Sequence, residues 1–455
     1  MLETFEKSRS FEQLRVKQSK LLNATINISG YRHSSNLLIS AAIVLPFSDI
    51  RLLNVPNLLD TDVMVEIMNV LGAKCEFNTD KNEVFVNTAH LFDHHVPNEL
   101  SKQLHGSLYL MPALLARFGK CVFGESGGCQ IGQKQSGFER PVNHVLDIME
   151  RFSVKVHHEG SNIIAEALTL KAAVININDY SHSKTEVTGP LTSGATKTAI
   201  LLALAVKVGK TTLLNPFLKS ETIDLLDFVK KVGYRVFYNS SRIEIEYQAP
   251  NKNVSHQVIS DPSEIITYMS IAGFHDIQLC LTNITLDRTL PILKPELDLL
   301  HKIGVSHTVE HPNILVKSTK KMNAQSIAIS VAGVCTDHHP LLIPLLLKAQ
   351  GKSDITENVW HDRFNYIAEA NKFGLNLKQN NNSIIIDPIP LQKAQDHIIC
   401  PDLRAAALLL ILAIGAPGVT TITNFHHLFR GYVDFIKNLQ SMGADMGIYK
   451  NEMEL

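Results

Sequence analysis

Apolar and polar positions along the chain keep returning to one order. An alternating apolar strand runs into a polar loop, then an amphipathic helix, a helix stop and a second strand. The order is plain in "LLNVPNLLDTDVMVEIMNVLGAKCEF", "TTLLNPFLKSETIDLLDFVKKVGYRVF" and "IQLCLTNITLDRTLPILKPELDLLHKIGVSHTV". It returns in "KSDITENVWHDRFNYIAEANKFGLNLK" and "VTTITNFHHLFRGYVDFIKNLQSMGADM", and in disguise in "KCVFGESGGCQIGQKQSGFERPVNHVLDIMERFSVKV". The predicted stops are Gly72, Ser153, Gly233, Gly304, Gly374 and Gly443, about 70–80 residues apart. Glycine suits such a stop because it takes the left-handed conformation without a Cβ clash.

Between the copies lie second helices rich in Ala and Leu, such as "GATKTAILLALAVKVGK" and "PDLRAAALLLILAIGAPG". Helices that are apolar nearly all round belong inside a domain. Each unit therefore reads strand–helix–strand–helix–strand. Six units predict an α/β protein of two domains, three units to each.

Composition narrows the partners. Hydrophobic residues make up 45% of the chain and charged residues 19%, with a net charge of −1. Nothing in that balance points to nucleic acid or a membrane surface. The start, "MLETFEKSRSFEQLRVKQSK", lacks the apolar core of a secretory signal, and "LRAAALLLILAIGAPG" is too short to span a bilayer. Six scattered cysteines without a CxxC pair read as reduced cytosolic thiols. Among them Cys129 stands apart, between glycines in "ESGGCQIGQ". A plain glycine turn and a reactive thiol on a loop tip both fit this stretch.

The GGC loop is followed by "RPV", then "TSGAT", and in the last unit "DLRA" and "RGY". In this order and spacing the motifs resemble the enolpyruvyl transferases, most closely the UDP-N-acetylglucosamine 1-carboxyvinyltransferases, over nearly the whole chain. The resemblance implies two inside-out α/β barrels with the active site in the cleft between them. The first domain would be 31–260, carrying the cysteine lid. The second would be 1–30 plus 261–455, its first strand given by the N-terminus. The implied reaction moves the carboxyvinyl group of phosphoenolpyruvate to a hydroxyl of a uridine nucleotide or UDP-sugar such as UDP-N-acetylglucosamine. Phosphate is released, and no cofactor or metal is implied.

Residue by residue, Cys129 matches the family's general acid and Asp337, in "VCTDHHP", its base. Arg140, Arg404 and Arg430 match arginines that hold phosphoenolpyruvate, and Arg363 one that helps closure. The acceptor side falls on Pro141, Val142, Asn143 and His144, on Thr192, Ser193 and Gly194, and on Val359. Thr192–Gly194 open a helix, where free N–H groups favour a phosphate. His338 and His339, if on a strand, would point to opposite faces, as structural or substrate-lining groups. Cys121, on the strand leading to the lid, reads as core.

Several positions depart from the family. Arg32 and His33 stand near a phosphoenolpyruvate-binding lysine, with one extra residue before "SAA". His105 replaces an arginine, Tyr109 a tryptophan and Pro190 a lysine beside the diphosphate stretch. The crossover reads "DPSE", Asp261 to Glu264, and about six residues, "KQSGFE", are inserted before "RPV". Most changes fall on the acceptor side. Two alternatives follow: a UMP-type nucleoside acceptor in specialised metabolism, or a catalytically weak nucleotide-binding paralogue.

Overall fold

A computed structural model describes residues 12–127, 142–181, 191–319, 321–360 and 363–450. Its contacts divide the chain into a middle unit, Gly30–Ile259, and a terminal unit that joins Ser260–Leu455 to the stretch ending at Ser29. The fold is mixed α/β.

The six predicted helix stops all hold the left-handed conformation, with φ from 68° at Ser153 to 122° at Gly304. Each follows an amphipathic helix: Leu59–Val70, Asn143–Arg151, Ser220–Val232, Leu286–Ile303, Ile367–Asn371 and Phe435–Ser441. A second signal recurs with the repeats. Asn54, Asn215, Asn283 and Asn424 follow the strands Asp49–Leu53, Lys210–Leu214, Leu279–Thr282 and Val419–Thr423, all at positive φ. Asparagine accepts this conformation more readily than other side chains, and the letters "LLN", "LLN", "LTN" and "ITN" record it.

The Ala- and Leu-rich helices are interior. In the middle unit Arg32–Ile43, Leu110–Phe118 and Thr192–Ala203 pack on one another, the second touching the other two. In the terminal unit Pro262–His275, His339–Leu347 and Leu403–Gly415 do the same, and Leu403 through Ile414 are all buried. Each buried Leu or Ile contributes about 1.5–3 kcal/mol of burial free energy, so these helices anchor their units.

In five of the six repeats the opening strand has a parallel strand on one edge among the described residues, and Lys120–Phe123 has only an isolated parallel bridge from His95 to Val122. Asp49–Leu53 pairs in parallel with Asn253–Gln257, Lys210–Leu214 with Val174–Asn176, and Ser353–Glu357 with Ser326–Ile329. Leu279–Thr282 has Ala24–Asn27 in this place, supplied from the N-terminal stretch. The last sheet borrows more. Glu12–Lys17 lies between Val419–Thr423 and Met446–Lys450, antiparallel to both. In the other repeats that slot is filled by a strand of the same repeat, such as Glu83–Asn87 or Asn313–Ser318.

Candidate functional site

In the middle unit the helix Thr192–Ala203 starts at the three residues expected on the acceptor side. Gly194 is required there: a Cβ would lie 2.1 Å from His144 Nε2. His144 lies in the first turn of the neighbouring helix and is buried, and its Nδ1 has no hydrogen-bond partner among the described residues. Burial and then the charge of Lys197 push its pKa down to about 4, so it is a neutral imidazole. One turn along from Gly194, Lys197 Nζ lies 2.9 Å from Glu221 Oε1, both side chains buried. Ser193 Oγ donates to the same oxygen at 3.4 Å, and Lys197 sits over the Tyr109 ring, 4.9 Å from its centroid. Burial disfavours the lysine's charge, but Glu221 and Tyr109 outweigh it and raise its pKa.

The two candidates for the lysine position separate here. Arg32 Nη1 lies 3.4 Å from Asp60 Oδ2, with both side chains largely buried. His33 instead acts electrostatically on Glu221, favouring its ionised form. Ser34, next in the helix, donates to Asp224, whose other oxygen is 2.7 Å from His256 Nε2. That buried trio fixes the start of the helix.

In the terminal unit Asp337 is held from both sides. Cys335 N and His338 Nδ1 meet Glu296 Oε1 at 2.8 and 3.0 Å, while Thr336 Oγ1 donates to Glu357 at 2.7 Å. His338 Nε2 lies 3.1 Å from Ser263 Oγ. The histidines stand at a helix start, not on a strand: His339 opens His339–Leu347 and is fully buried against Tyr366 and Glu357. Burial, reinforced by Arg363, keeps His339 neutral, far below its usual pKa.

This frame leaves the Asp337 carboxylate partly exposed between two buried guanidiniums. Arg363 Nη2 bonds one oxygen, and Arg404 Nη2 lies 3.8 Å from the other. Arg404 is placed by its helix. Asp402 accepts from Arg404 N and Ala405 N at 2.9 Å each as the N-cap. The Arg404 fork also donates to Tyr432 Oη at 3.0 Å, and Tyr432 meets Thr267 Oγ1 at 2.8 Å. The Nε atoms of both arginines are buried without a hydrogen-bond partner among the described residues. Burial opposes each charge, yet surrounding oxygens raise both pKa values above the ordinary arginine range. Arg430 ends the short helix Phe425–Arg430, near His427, whose pKa burial, His426 and Arg430 push down to about 4.

The pattern of the family described as EPSP synthase (3-phosphoshikimate 1-carboxyvinyltransferase) matches residues 16–439. The chain belongs to this family of enolpyruvyl transferases. It is therefore an enzyme of the transferase class. It is 29% identical to UDP-N-acetylglucosamine 1-carboxyvinyltransferase 2 of Staphylococcus aureus (strain Mu50 / ATCC 700699), over 96% of this chain and 98% of that one. The crystal structure of the enolpyruvyl transferase NikO from Streptomyces tendae matches with a TM-score of 0.87 and 29% identity, over 96% and 98% of the two chains. An EPSP synthase of Acinetobacter baumannii matches with a TM-score of 0.71 at 15% identity, over 96% and 100%, a likeness of fold.

Within this enolpyruvyl transferase, Asp337, Arg363 and Arg404 are brought together, and His144 meets Gly194. Val359 is half-buried on the core, its N–H donating to Glu357 at 2.7 Å. Cys129, Arg140, Pro141 and Pro190, and the inserted "KQSGFE", lie outside the described residues. The root of the cysteine loop is described, and it is tied down. Glu125 N and O bond Asn98 and Ser101, and a Cβ at Gly127 would lie 1.8 Å from Lys102 O. Cys121 is fully buried in its strand, where burial pushes its thiol pKa up.

Sequence reading missed Lys197, Glu221, Glu357 and Tyr432. A lone lysine in the small, apolar run "GATKTAILLALA" was the available signal for the first. No helix among the described residues is long and apolar enough to cross a membrane. One group there has metal-ligand character, Asp93, His94 and His95, with ligand atoms within 4.8 Å of one another. Asp93 Oδ1 already accepts from two backbone N–H groups and contacts His95 Nδ1, so the trio reads as a closed turn.

Proposed function

We propose that the enzyme transfers the carboxyvinyl group of phosphoenolpyruvate to a hydroxyl of a uridine nucleotide or UDP-sugar. The observation that carries the chemistry is the Asp337 carboxylate between the guanidiniums of Arg363 and Arg404. As the acceptor oxygen bonds to C2 of phosphoenolpyruvate, its proton passes to Asp337, and C3 gains a proton from the Cys129 thiol. The Cys129 thiolate then takes a proton back from C3, which restores the double bond as the bond from C2 to the phosphate oxygen breaks and phosphate departs. Arg404 and Arg430, with Arg140 and Arg32, hold the anionic donor, preferably by forked hydrogen bonds. Arg363 serves closure.

On the acceptor side the reading assigns Pro141 through His144, Thr192 through Gly194, and Val359. It takes the two units as the two domains, each an inside-out barrel of three repeats. Similarity to a UDP-N-acetylglucosamine enzyme supports the UDP-sugar as acceptor. Pro190 and His105, which remove two cations expected of that group, favour a uridine monophosphate as the second reading. Incubation with phosphoenolpyruvate and a panel of uridine nucleotides, read by phosphate release, tests both. Release that depends on one acceptor supports the reading and names the acceptor. Nucleotide binding without release from any pair would identify a non-catalytic paralogue.

A further inference from the structure

Lys197 stands in an unusual place for a buried cation. It lies in the first turns of the helix Thr192–Ala203, whose N-terminal end carries partial positive charge and disfavours lysine. Side chains on a helix lean toward its N-terminus, and positions three and four apart share a face. Lys197 therefore lies on the face of Ser193 and Gly194. Ser193 shares its partner Glu221, and the pKa of His144, packed on Gly194, is lowered in part by Lys197.

The cluster has one carboxylate, Glu221, set against the ammonium and the positive helix end. It also has His144, a side chain 7% exposed whose Nε2 is the ring nitrogen nearest Gly194 and whose Nδ1 has no hydrogen-bond partner among the described residues. An anion at the helix start would meet the free N–H groups of the first turn, the ammonium and, in one tautomer, the imidazole N–H. The neutral state of His144 leaves Lys197 as the full positive charge of this group.

We infer that Lys197, held by Glu221 and Tyr109, is a specificity-determining residue that binds a phosphate of the acceptor. The inference rests on the uridine-nucleotide reading and adds to it the residue that reads the phosphate. The family places cations at positions 190 and 105; this chain has Pro190 and His105, and brings a lysine from one turn inside the helix instead. A single ammonium paired with a carboxylate suits one phosphate group better than the full charge of a diphosphate. Glu221 is the positioning residue. It holds the ammonium in a fixed place until the phosphate shares it.

Calorimetry with uridine, UMP, UDP and UDP-N-acetylglucosamine, on the parent and on Lys197→Met/Glu221→Gln, tests this. The double variant removes both charges together, so no buried ion is left unpaired. Expected is a parent that binds UMP more tightly than uridine, and a variant in which that gain falls roughly ten-fold or more. Uridine and phosphoenolpyruvate should bind the variant as they bind the parent, an outcome that a merely structural pair would not give. Lys197→Arg, which keeps the charge, should retain most of the gain. A variant with the parent's full preference for UMP over uridine would overturn the role of Lys197 alone. A parent that binds none of the four compounds would overturn the uridine reading and this inference with it. Should the double variant not fold, Lys197→Gln/Glu221→Gln, which removes both charges and can keep a hydrogen bond between the two side chains, carries the same comparison.

Discussion

Glu264 offers a test in which the sign and the size both follow from the structure. Its carboxyl is 1% exposed, at the start of the helix Pro262–His275. Oε2 accepts from Ser29 N at 2.8 Å and Ser29 Oγ at 2.6 Å, while Oε1 is buried without a hydrogen-bond partner among the described residues. Burial, with Asp261 adding like charge, pushes its pKa from 4.5 up to about 8, so the group is protonated at neutral pH. In the unfolded chain the same group is ionised above 4.5. Its contribution to stability is therefore fully present below pH 4.5, falls as pH rises, and is gone above about 8. The slope is about 1.4 kcal/mol per pH unit, and the whole window is worth at most about 5 kcal/mol.

Glu264→Gln removes the titration and keeps a carbonyl oxygen for both Ser29 donors. Chemical unfolding of the two proteins at matched pH from 5 to 8 is the assay. The glutamine protein should be the more stable at pH 8, by a few kcal/mol, and the gap should close toward pH 5. Parallel stability profiles across that range would refute a buried neutral carboxyl at this position.

Three further outcomes are expected. Asp337→Asn should lower kcat about 100-fold or more. It should leave phosphoenolpyruvate binding equal or tighter, because Arg363 and Arg404 lose their competing carboxylate. Unchanged turnover in steady-state kinetics would remove Asp337 as the base. Gly194→Ala should raise the acceptor KM with little change in that for phosphoenolpyruvate, since the new methyl would displace His144 from 2.1 Å. A melting curve should show a loss of about 1–3 kcal/mol from the overpacked contact. Cys129→Ser should nearly abolish turnover without unfolding the protein, and an epoxide mimic of phosphoenolpyruvate should add to Cys129, as peptide mass spectrometry would detect. Full turnover by the serine protein would exclude the thiol as sole proton donor.

Local features were legible in the chain because each is set within a few residues. Gly233 and Ser153 end helices through their own backbone conformation, and the burial of Leu403 through Ile414 follows from the unbroken apolar letters after Arg404. Asp402 before Arg404 is a capping residue wherever the helix lies, so the placing of that arginine at a helix start was written in "PDLRA". The family motifs likewise gave Asp337 and Arg363 as candidates, though not their contact.

Tertiary structure alone decided which distant groups meet. Nothing in "FEQLRVKQ" says that Glu12–Lys17 will lie between Val419–Thr423 and Met446–Lys450. An alternating strand carries its inward face, but its partner is whichever open edge the rest of the fold leaves. Charges behave in the same way. In the chain Lys197 is a single charge within an apolar run, and Glu221 is an acid in the first turn of its helix. Once burial takes both from water, each needs a counter-charge, and the packing of two helices supplies it at 2.9 Å. The sequence by itself determined the repeats, the helix ends and the residue types the chemistry requires. Which of those residues share a charge was decided by long-range packing, because burial is a property of the folded neighbourhood and not of the local chain.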